Sequence, residues 1–445
     1  VSREGGRGAS GHGISTLAVH GGEDVALPPR RPVAVPVYQT APWAFASSGE
    51  LSAAFDALPG DRSAMYSRYE NPTVRSLEGK VAALEGAGDA LAFASGMAAI
   101  ATTLASLLRS GDRLLAAADL YGGTDSWLAT LGESQPEIAV ERCPLGGLAG
   151  RLEEMAEEAA GASAGTSAAA AGPVAAVYLE TPSNPLLTCT DLAAVVAAAR
   201  RLGGCQGRRV AVVVDGTMAS PAVQRPLALG VDLVLHSATK FLAGHSDVTA
   251  GVVAGGRPGG AAGDETAASD EAAAGAELMR ALRDRAVLAG ASLDPHAASL
   301  VARGLKTLAL RLDRQCANAA RLAALAAGHP AVSAVHYPGL VASGGFDPVA
   351  SGQMVNGGPM LAFELAGGLA AARAAVDALE LVRIIPSLGG VETGVVLPAI
   401  TSHRSLSAEE RAERGIADGL VRVSCGIEDG DDLAADLERA LAAAG

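Results

Sequence analysis

Short apolar runs, each closed by a polar turn and separated by helix-length segments, constrain this chain more than any other feature. Residues 113–117, 174–179, 210–214 and 231–235 are such runs, and residues 89–94 form another that ends in Ser95-Gly96-Met97. Residues 74–84, 98–108 and 191–202 have helical spacing, the last with Asp191 at its start. Near-continuous apolar strands alternating with helices predict a mostly parallel sheet covered on both faces. In open sheets of this kind a ligand lies beyond the carboxyl ends of the strands. The polar motifs fall at those ends. Asp119-Leu120-Tyr121 follows 113–117, and Glu180-Thr181-Pro182-Ser183-Asn184 follows 174–179. Asp215 follows 210–214, and His236-Ser237-Ala238-Thr239-Lys240 follows 231–235.

The rest of the chain organises around that pattern. Residues 1–13 read as a tail, and 1–65 as an N-terminal arm in which short apolar pieces such as 33–38 are interrupted by prolines. A helical stretch at 297–327 leads to strands at 331–335, 360–365 and 420–424 and helices at 369–379 and 431–443. The expected organisation is an arm (1–65), a large sheet domain (66–295) and a smaller C-terminal α/β domain (296–445). At 445 residues and 49% hydrophobic, the chain can fill both cores. Residues 157–172 and 255–275 are rich in Ala, Gly and Ser and are expected to be surface insertions.

The residues at the strand ends carry a specific chemistry. Lys240 and Asp215 each stand at the mouth of a buried strand, and Thr239 and Ser237 lie one and three positions before the lysine. A pyridoxal 5'-phosphate site needs this set: an amine for the cofactor aldehyde, a carboxylate for the pyridine nitrogen and hydroxyls for the phosphate. Ser95 is expected to cap a helix whose first amides, at Gly96 and Met97, face an anion. With aromatics at only 3%, Tyr121 in its glycine-flanked loop stands out as a ring to stack on a flat cofactor. Arg422, inside the apolar run 420–424, reads either as an ion-pair partner or as a bidentate clamp for a substrate carboxylate. Lys240 also has a plain reading as a surface lysine, and Asp215 as a turn former.

A formal charge of −14 with no basic face disfavours nucleic acid as a partner. No charge-free run of about 18 apolar residues predicts a membrane span. The opening residues lack the apolar centre of a secretory signal. The five cysteines are scattered without C-x-x-C spacing, which predicts neither disulfides nor a metal site and fits a reducing, cytoplasmic compartment.

Taken in order, the segments YSRYENPTVRSLE, SGMAAI, DLYGGT, ETPSNPLL, VDGTMASP, HSATKFLAGHSDVTAG, RGLKTLALRL, SLGGVET and LVRVSCGIED resemble the cystathionine γ-synthase/γ-lyase (Cys/Met metabolism) family of pyridoxal-phosphate enzymes. The resemblance implies a type I aminotransferase-like fold and a homotetramer with shared active sites. It implies that Lys240 bears the cofactor and shuttles protons, that Asp215 pairs with the ring nitrogen and that Tyr121 stacks over the ring. Gly96, Met97, Ser237 and Thr239 would hold the phosphate, joined by Tyr66 and Arg68 of a neighbouring subunit. Thr217 and Glu180 would support this shell. Arg422, aided by Ser387, would bind the substrate carboxylate, and Asn184 would contact the cofactor's ring hydroxyl or the substrate carboxylate region.

The implied reaction is γ-replacement or γ-elimination on a homoserine-derived or sulfur amino acid. Gly123 stands where methionine γ-lyases of this kind usually have cysteine, and Pro386 where many γ-lyases have glutamate. The second departure leans toward synthase-type chemistry. Methionine γ-lyase, or a γ-substitution enzyme using another nucleophile, is the alternative. A non-catalytic binding module would need a damaged site. A nicotinamide dehydrogenase would need a Gly-x-Gly-x-x-Gly turn after a strand, which is missing.

Overall fold

The computed structural model describes residues 12–23, 32–56, 65–161, 172–256, 265–341 and 344–444. Twelve strands form two sheets among these residues. The larger sheet contains β1 (Asp89–Phe93), β2 (Arg113–Ala117), β3 (Ala139–Cys143), β4 (Val174–Glu180), β5 (Ala211–Asp215), β6 (Leu233–His236) and β7 (Gly251–Gly255). The smaller contains β8 (Val332–His336), β9 (Met360–Leu365), β10 (Arg383–Ile384), β11 (Gly394–Val396) and β12 (Leu420–Ser424). The larger sheet runs β1-β7-β6-β5-β4-β2-β3, and the smaller β10-β11-β12-β9-β8.

The chain divides into two compact units. One comprises Val1–Leu107, Leu235–Ala243 and Asp247–Thr307, the other Leu108–Val234, Gly244–Ser246 and Leu308–Gly445. Strand β6 contributes its first two residues to the second unit and its last two to the first.

In the first unit β1 and β7 pair antiparallel, from Asp89 opposite Gly255 to Phe93 opposite Gly251. The helix Pro72–Glu85 packs on β1. Its limits follow from local chemistry: the Asn71 side chain accepts the amide of Thr73 at 2.9 Å, Pro72 occupies the first turn, and Gly86 ends the helix at φ 70°. The same helix buries three charged residues, Glu78, Lys80 and Glu85. Lys80 Nζ donates to the carbonyls of Ala18 and Val19 at 3.0 Å, which caps the last turn of the helix Ile14–His20.

In the second unit β3, β2, β4 and β5 are all parallel. Strand β4 is buried along its whole length, as a central strand of a doubly covered sheet must be. The smaller sheet is antiparallel except for β10 and β11. Its core joins Leu322, Phe363, Val376, Val421, Val423 and Leu437.

The helical stretch expected at 297–327 is formed by two helices, Pro295–Leu305 and Leu308–Gly328. The first stops where Lys306 and Thr307 turn back to the carbonyls of Arg303 and Gly304. The stretch 255–275 is not wholly an insertion: Gly255 ends β7, and a helix begins at Glu265 and runs to Ala289. Likewise Glu157–Gly161 completes the helix Leu148–Gly161. The rest of both expected insertions, 162–171 and 257–264, lies outside the described residues, as do 1–11 of the expected tail and 24–31 and 57–64 of the expected arm. Finally, β3 and β7 belong to the sheet although neither was expected. Among the described residues no helix is long and apolar enough to cross a membrane.

Candidate active site

In the first unit, the turn after β6 carries Ser237, Thr239 and Lys240, all partly buried. The Lys240 amide donates to Ser237 O at 3.0 Å, and the Thr239 hydroxyl is tied to the backbone of Ala250, at 3.1 Å to its carbonyl and 2.9 Å from its amide. The helix Gly96–Leu107 starts against this turn. Ser95 caps it as expected, its hydroxyl accepting the Ala98 amide at 3.0 Å. The amides of the first turn of a helix have no partner within it, and here they belong to Gly96 and Met97. A Cβ on Gly96 would stand 2.9 Å from Ser237 Cβ and 3.0 Å from Ser237 Oγ. The absent side chain therefore leaves a cradle of amides beside a serine hydroxyl, the donor set a phosphate requires. Tyr66 is 43% exposed. The guanidinium of Arg68 lies 4.7 Å from the Tyr69 ring centroid and 5.8 Å from that of Tyr66, and donates to Val287 O at 2.9 Å.

In the second unit, the ends of β4 and β5 place Glu180 opposite Asp215. Both are buried. Asp215 Oδ1 accepts the Thr217 amide at 2.9 Å, and the Tyr178 hydroxyl stands 3.5 Å from Oδ2. Glu180 Oε1 accepts the Tyr121 amide at 2.7 Å. Burial, and then the neighbouring Asp215 charge, push the Glu180 carboxyl well above the usual carboxylate range. Burial does the same to the Tyr178 phenol. Tyr121 precedes the helix Gly122–Ser134 and presents a ring that is 49% exposed. Sequence reasoning missed Tyr178. Its only sequence signal is a tyrosine two residues before Glu180, on the same face of the strand.

Arg422 projects from β12 into buried surroundings at 6% exposure. Its Nη1 donates to Asn184 Oδ1 at 2.6 Å and its Nη2 to Ser387 O at 3.5 Å. These contacts unite Asn184, Ser387 and Arg422, which lie far apart in the chain. Nε of Arg422 is buried with no hydrogen-bond partner. Burial alone lowers the guanidinium to about 10. Among the described residues no carboxylate pairs with Arg422 to offset the burial, which speaks against the simple ion-pair reading. The loop carrying Ser387 is held from below: Gln315 Nε2 donates to Gly390 O at 2.7 Å, Gly389 N to Ser424 Oγ at 2.8 Å, and Thr393 Oγ1 to Glu428 at 2.7 Å. His403 was also missed. It is buried, bonded to Ser402 Oγ at 2.8 Å, and lowered to about 4 by burial and by the charges of Arg422 and Arg414.

A family model described as Cys/Met metabolism PLP-dependent enzyme matches residues 15–442. The chain belongs to this family. It is 41% identical to an L-methionine gamma-lyase of Pseudomonas putida over 97% of this chain and 98% of that protein. It is 36% identical to a chloroplastic cystathionine gamma-synthase of Nicotiana tabacum over 96% of this chain and 71% of that protein. Among solved structures, the cystathionine gamma synthase of Xanthomonas oryzae pv. oryzae, in complex with aminoacrylate and cysteine, superposes with a TM-score of 0.81 at 35% identity, covering 97% of this chain and 98% of that one. The type I aminotransferase-like fold and the pyridoxal-phosphate cofactor follow from this membership.

The residues present fit that cofactor. The first unit offers the amide cradle, the Ser237 hydroxyl and the Lys240 amine. The second offers a buried carboxylate at Asp215 and a half-exposed tyrosine ring at Tyr121, whose amide is bonded to Glu180.

Proposed function

We propose that this family member catalyses γ-elimination or γ-replacement on a homoserine-derived or sulfur amino acid, in the manner of a cystathionine γ-lyase or γ-synthase. The observation that carries the reading is Arg422, a buried cation without an acid partner among the described residues, hydrogen-bonded to Asn184 and Ser387 O. Such a group is costly to bury unless an anion arrives to satisfy it. The carboxylate of an amino acid is that anion.

Pyridoxal phosphate, when bound, supplies an electron sink that makes the substrate Cα–H acidic. Lys240 would hold the cofactor through its amine, and its Nζ, when free, would take the Cα proton and relay protons at Cβ. Asp215 would keep the ring nitrogen protonated, with the Thr217 amide orienting the carboxylate and Glu180 beside it, its charge disfavoured by burial and by Asp215. Tyr121 stacks on the ring, its loop anchored to Glu180. The amides of Gly96 and Met97 and the Ser237 hydroxyl hold the phosphate, and Thr239 fixes their loop to Ala250.

Several broader assignments belong to the same reading. Tyr66 and Arg68 serve the phosphate of a partner subunit in a homotetramer, supported by their position on the surface of the first unit. The chain works in the cytoplasm, supported by five free thiols. The division into an arm (1–65), a cofactor domain (66–295) and a C-terminal domain (296–445) is retained. A second reading, methionine γ-lyase, is favoured by the 41% identity to such an enzyme and opposed by Gly123.

The test is a product assay with cystathionine, methionine, O-acyl and O-phospho homoserines, each with and without cysteine. A 2-oxo acid with ammonia marks elimination, and a new thioether marks replacement. Borohydride reduction should fix the cofactor on Lys240. Failure to trap it there, together with no turnover of any substrate, would refute the proposal.

A further inference from the structure

One buried polar contact lies at the root of the Lys240 turn and takes no part in the roles above. His236, the last residue of β6, meets Glu85, the last residue of the helix Pro72–Glu85, with Nε2 and Oε1 2.6 Å apart. Both side chains are cut off from solvent, at 2% and 0% exposure. The remaining polar atoms, His236 Nδ1 and Glu85 Oε2, are buried and have no partner among the described residues. The imidazole is therefore tethered by this single bond. A buried group with one tether loses its fixed orientation when that tether is removed.

The next residues along the chain have little room to move. Ser237 is in contact with the Gly96 backbone, so closely that a single Cβ there would not fit. Lys240 is linked back to Ser237 by its amide, and Thr239 is pinned to Ala250. The turn is thus held at its far end by Ala250 and at its root by Glu85. We propose that Glu85, acting through His236, is a positioning residue that sets the placement of Ser237 and Lys240 for the cofactor. The inference rests on the assignment of Lys240 made above. It adds that Glu85, at the C-terminal end of the helix 72–85, supports the cofactor site from behind the turn.

The experiment compares Glu85→Ala and Glu85→Gln with the unmodified protein and with Lys80→Met. The last removes another buried charge from the same helix, one that binds the carbonyls of Ala18 and Val19. Two quantities are read: the dissociation constant for pyridoxal phosphate on reconstituting cofactor-free protein, and the pH midpoint of the bound cofactor's visible absorbance. Glu85→Ala is expected to weaken cofactor binding about tenfold or more, as loss of an orienting outer partner does elsewhere, and to shift the midpoint. Glu85→Gln, which can still hydrogen-bond the imidazole, recovers most of the affinity. Lys80→Met lowers the melting temperature and leaves both readouts unchanged. Should Glu85→Ala not fold, Glu85→Asp replaces it, keeping the carboxyl group but withdrawing it from the ring. Equal losses in the Lys80 and Glu85 variants, or unchanged readouts in the Glu85 variants, would overturn the inference while leaving the cofactor assignment intact. Unmodified protein that takes up no cofactor on Lys240 would overturn both.

Discussion

His403 makes the stability of this protein depend on pH in a way that can be worked out in advance. The ring is buried at 6% exposure. Arg422 on β12 and Arg414 and Arg411 beyond it bear on the ring with positive charge, and Asp125 only partly opposes them. Its folded pKa is about 4 against an ordinary 6.5. Above pH 7 the imidazole is neutral in both states and the shift has no effect. As pH falls through 6.5 the unfolded chain takes up a proton that the folded protein refuses, so the folded state loses ground. Linkage gives a loss of roughly 2 kcal/mol at pH 5 and roughly 3 kcal/mol at pH 4.

Other groups titrate in the same range, so the quantity to measure is the difference between unmodified protein and His403→Gln. Urea unfolding of both at equal protein concentration, at pH 7.5 and pH 5, supplies it. At pH 7.5 the variant should be the less stable, having lost the ring packing and the Ser402 contact. On moving to pH 5 the gap should close by about 2 kcal/mol, because glutamine has no proton to refuse. A gap that stays constant, or widens on acidification, would refute the reasoning and place a charged imidazole beside Arg422.

Gly96→Ala sets a helix gain of roughly 1 kcal/mol against a Cβ that does not fit beside Ser237, so the cofactor-free protein should be no more stable than the unmodified one. The new Cβ meets Ser237 at 2.9 Å, so cofactor affinity on reconstitution should fall, and unchanged affinity would remove the Gly96–Ser237 cradle from the phosphate site. Arg422→Ala should lower kcat/KM roughly 100-fold, chiefly through KM, because a charged hydrogen-bonded clamp is lost while proton transfer by Lys240 is untouched. A normal KM in steady-state assays would take Arg422 away from the substrate carboxylate.

Strands dominated by apolar residues, with at most one charged residue each, were legible to the residue: β2, β9 and β12 have the limits that their sequences predict. Strand β3 escaped because Ala139–Cys143 includes Glu141 and Arg142, tolerated where a sheet ends and solvent begins. Strand β7 is bracketed by glycines that read as loop, yet Gly251 is required there because a side chain would collide with the carbonyl of Ser95. In the candidate site, the positions of Lys240, Asp215 and Tyr121 in the chain could be read from the strands they follow. Their partners could not. Tyr178 and Asp215 are 37 residues apart, Asn184 and Arg422 are 238 apart, and His236 and Glu85 are 151 apart. No local periodicity encodes those separations. The orphaned Nε of Arg422 is equally invisible in a sequence, because it depends on what fails to surround the side chain.

The break between Leu305 and Leu308 has a consequence for how this enzyme can change over evolutionary time. Any side chain at Gly304 would strike the carbonyl oxygen of Ala243, three residues past Lys240. The backbone there touches backbone, and only a hydrogen atom fits between. Drift at that site is closed off even to alanine, so a screen of all single substitutions should find position 304 as intolerant as the lysine itself, although it performs no chemistry.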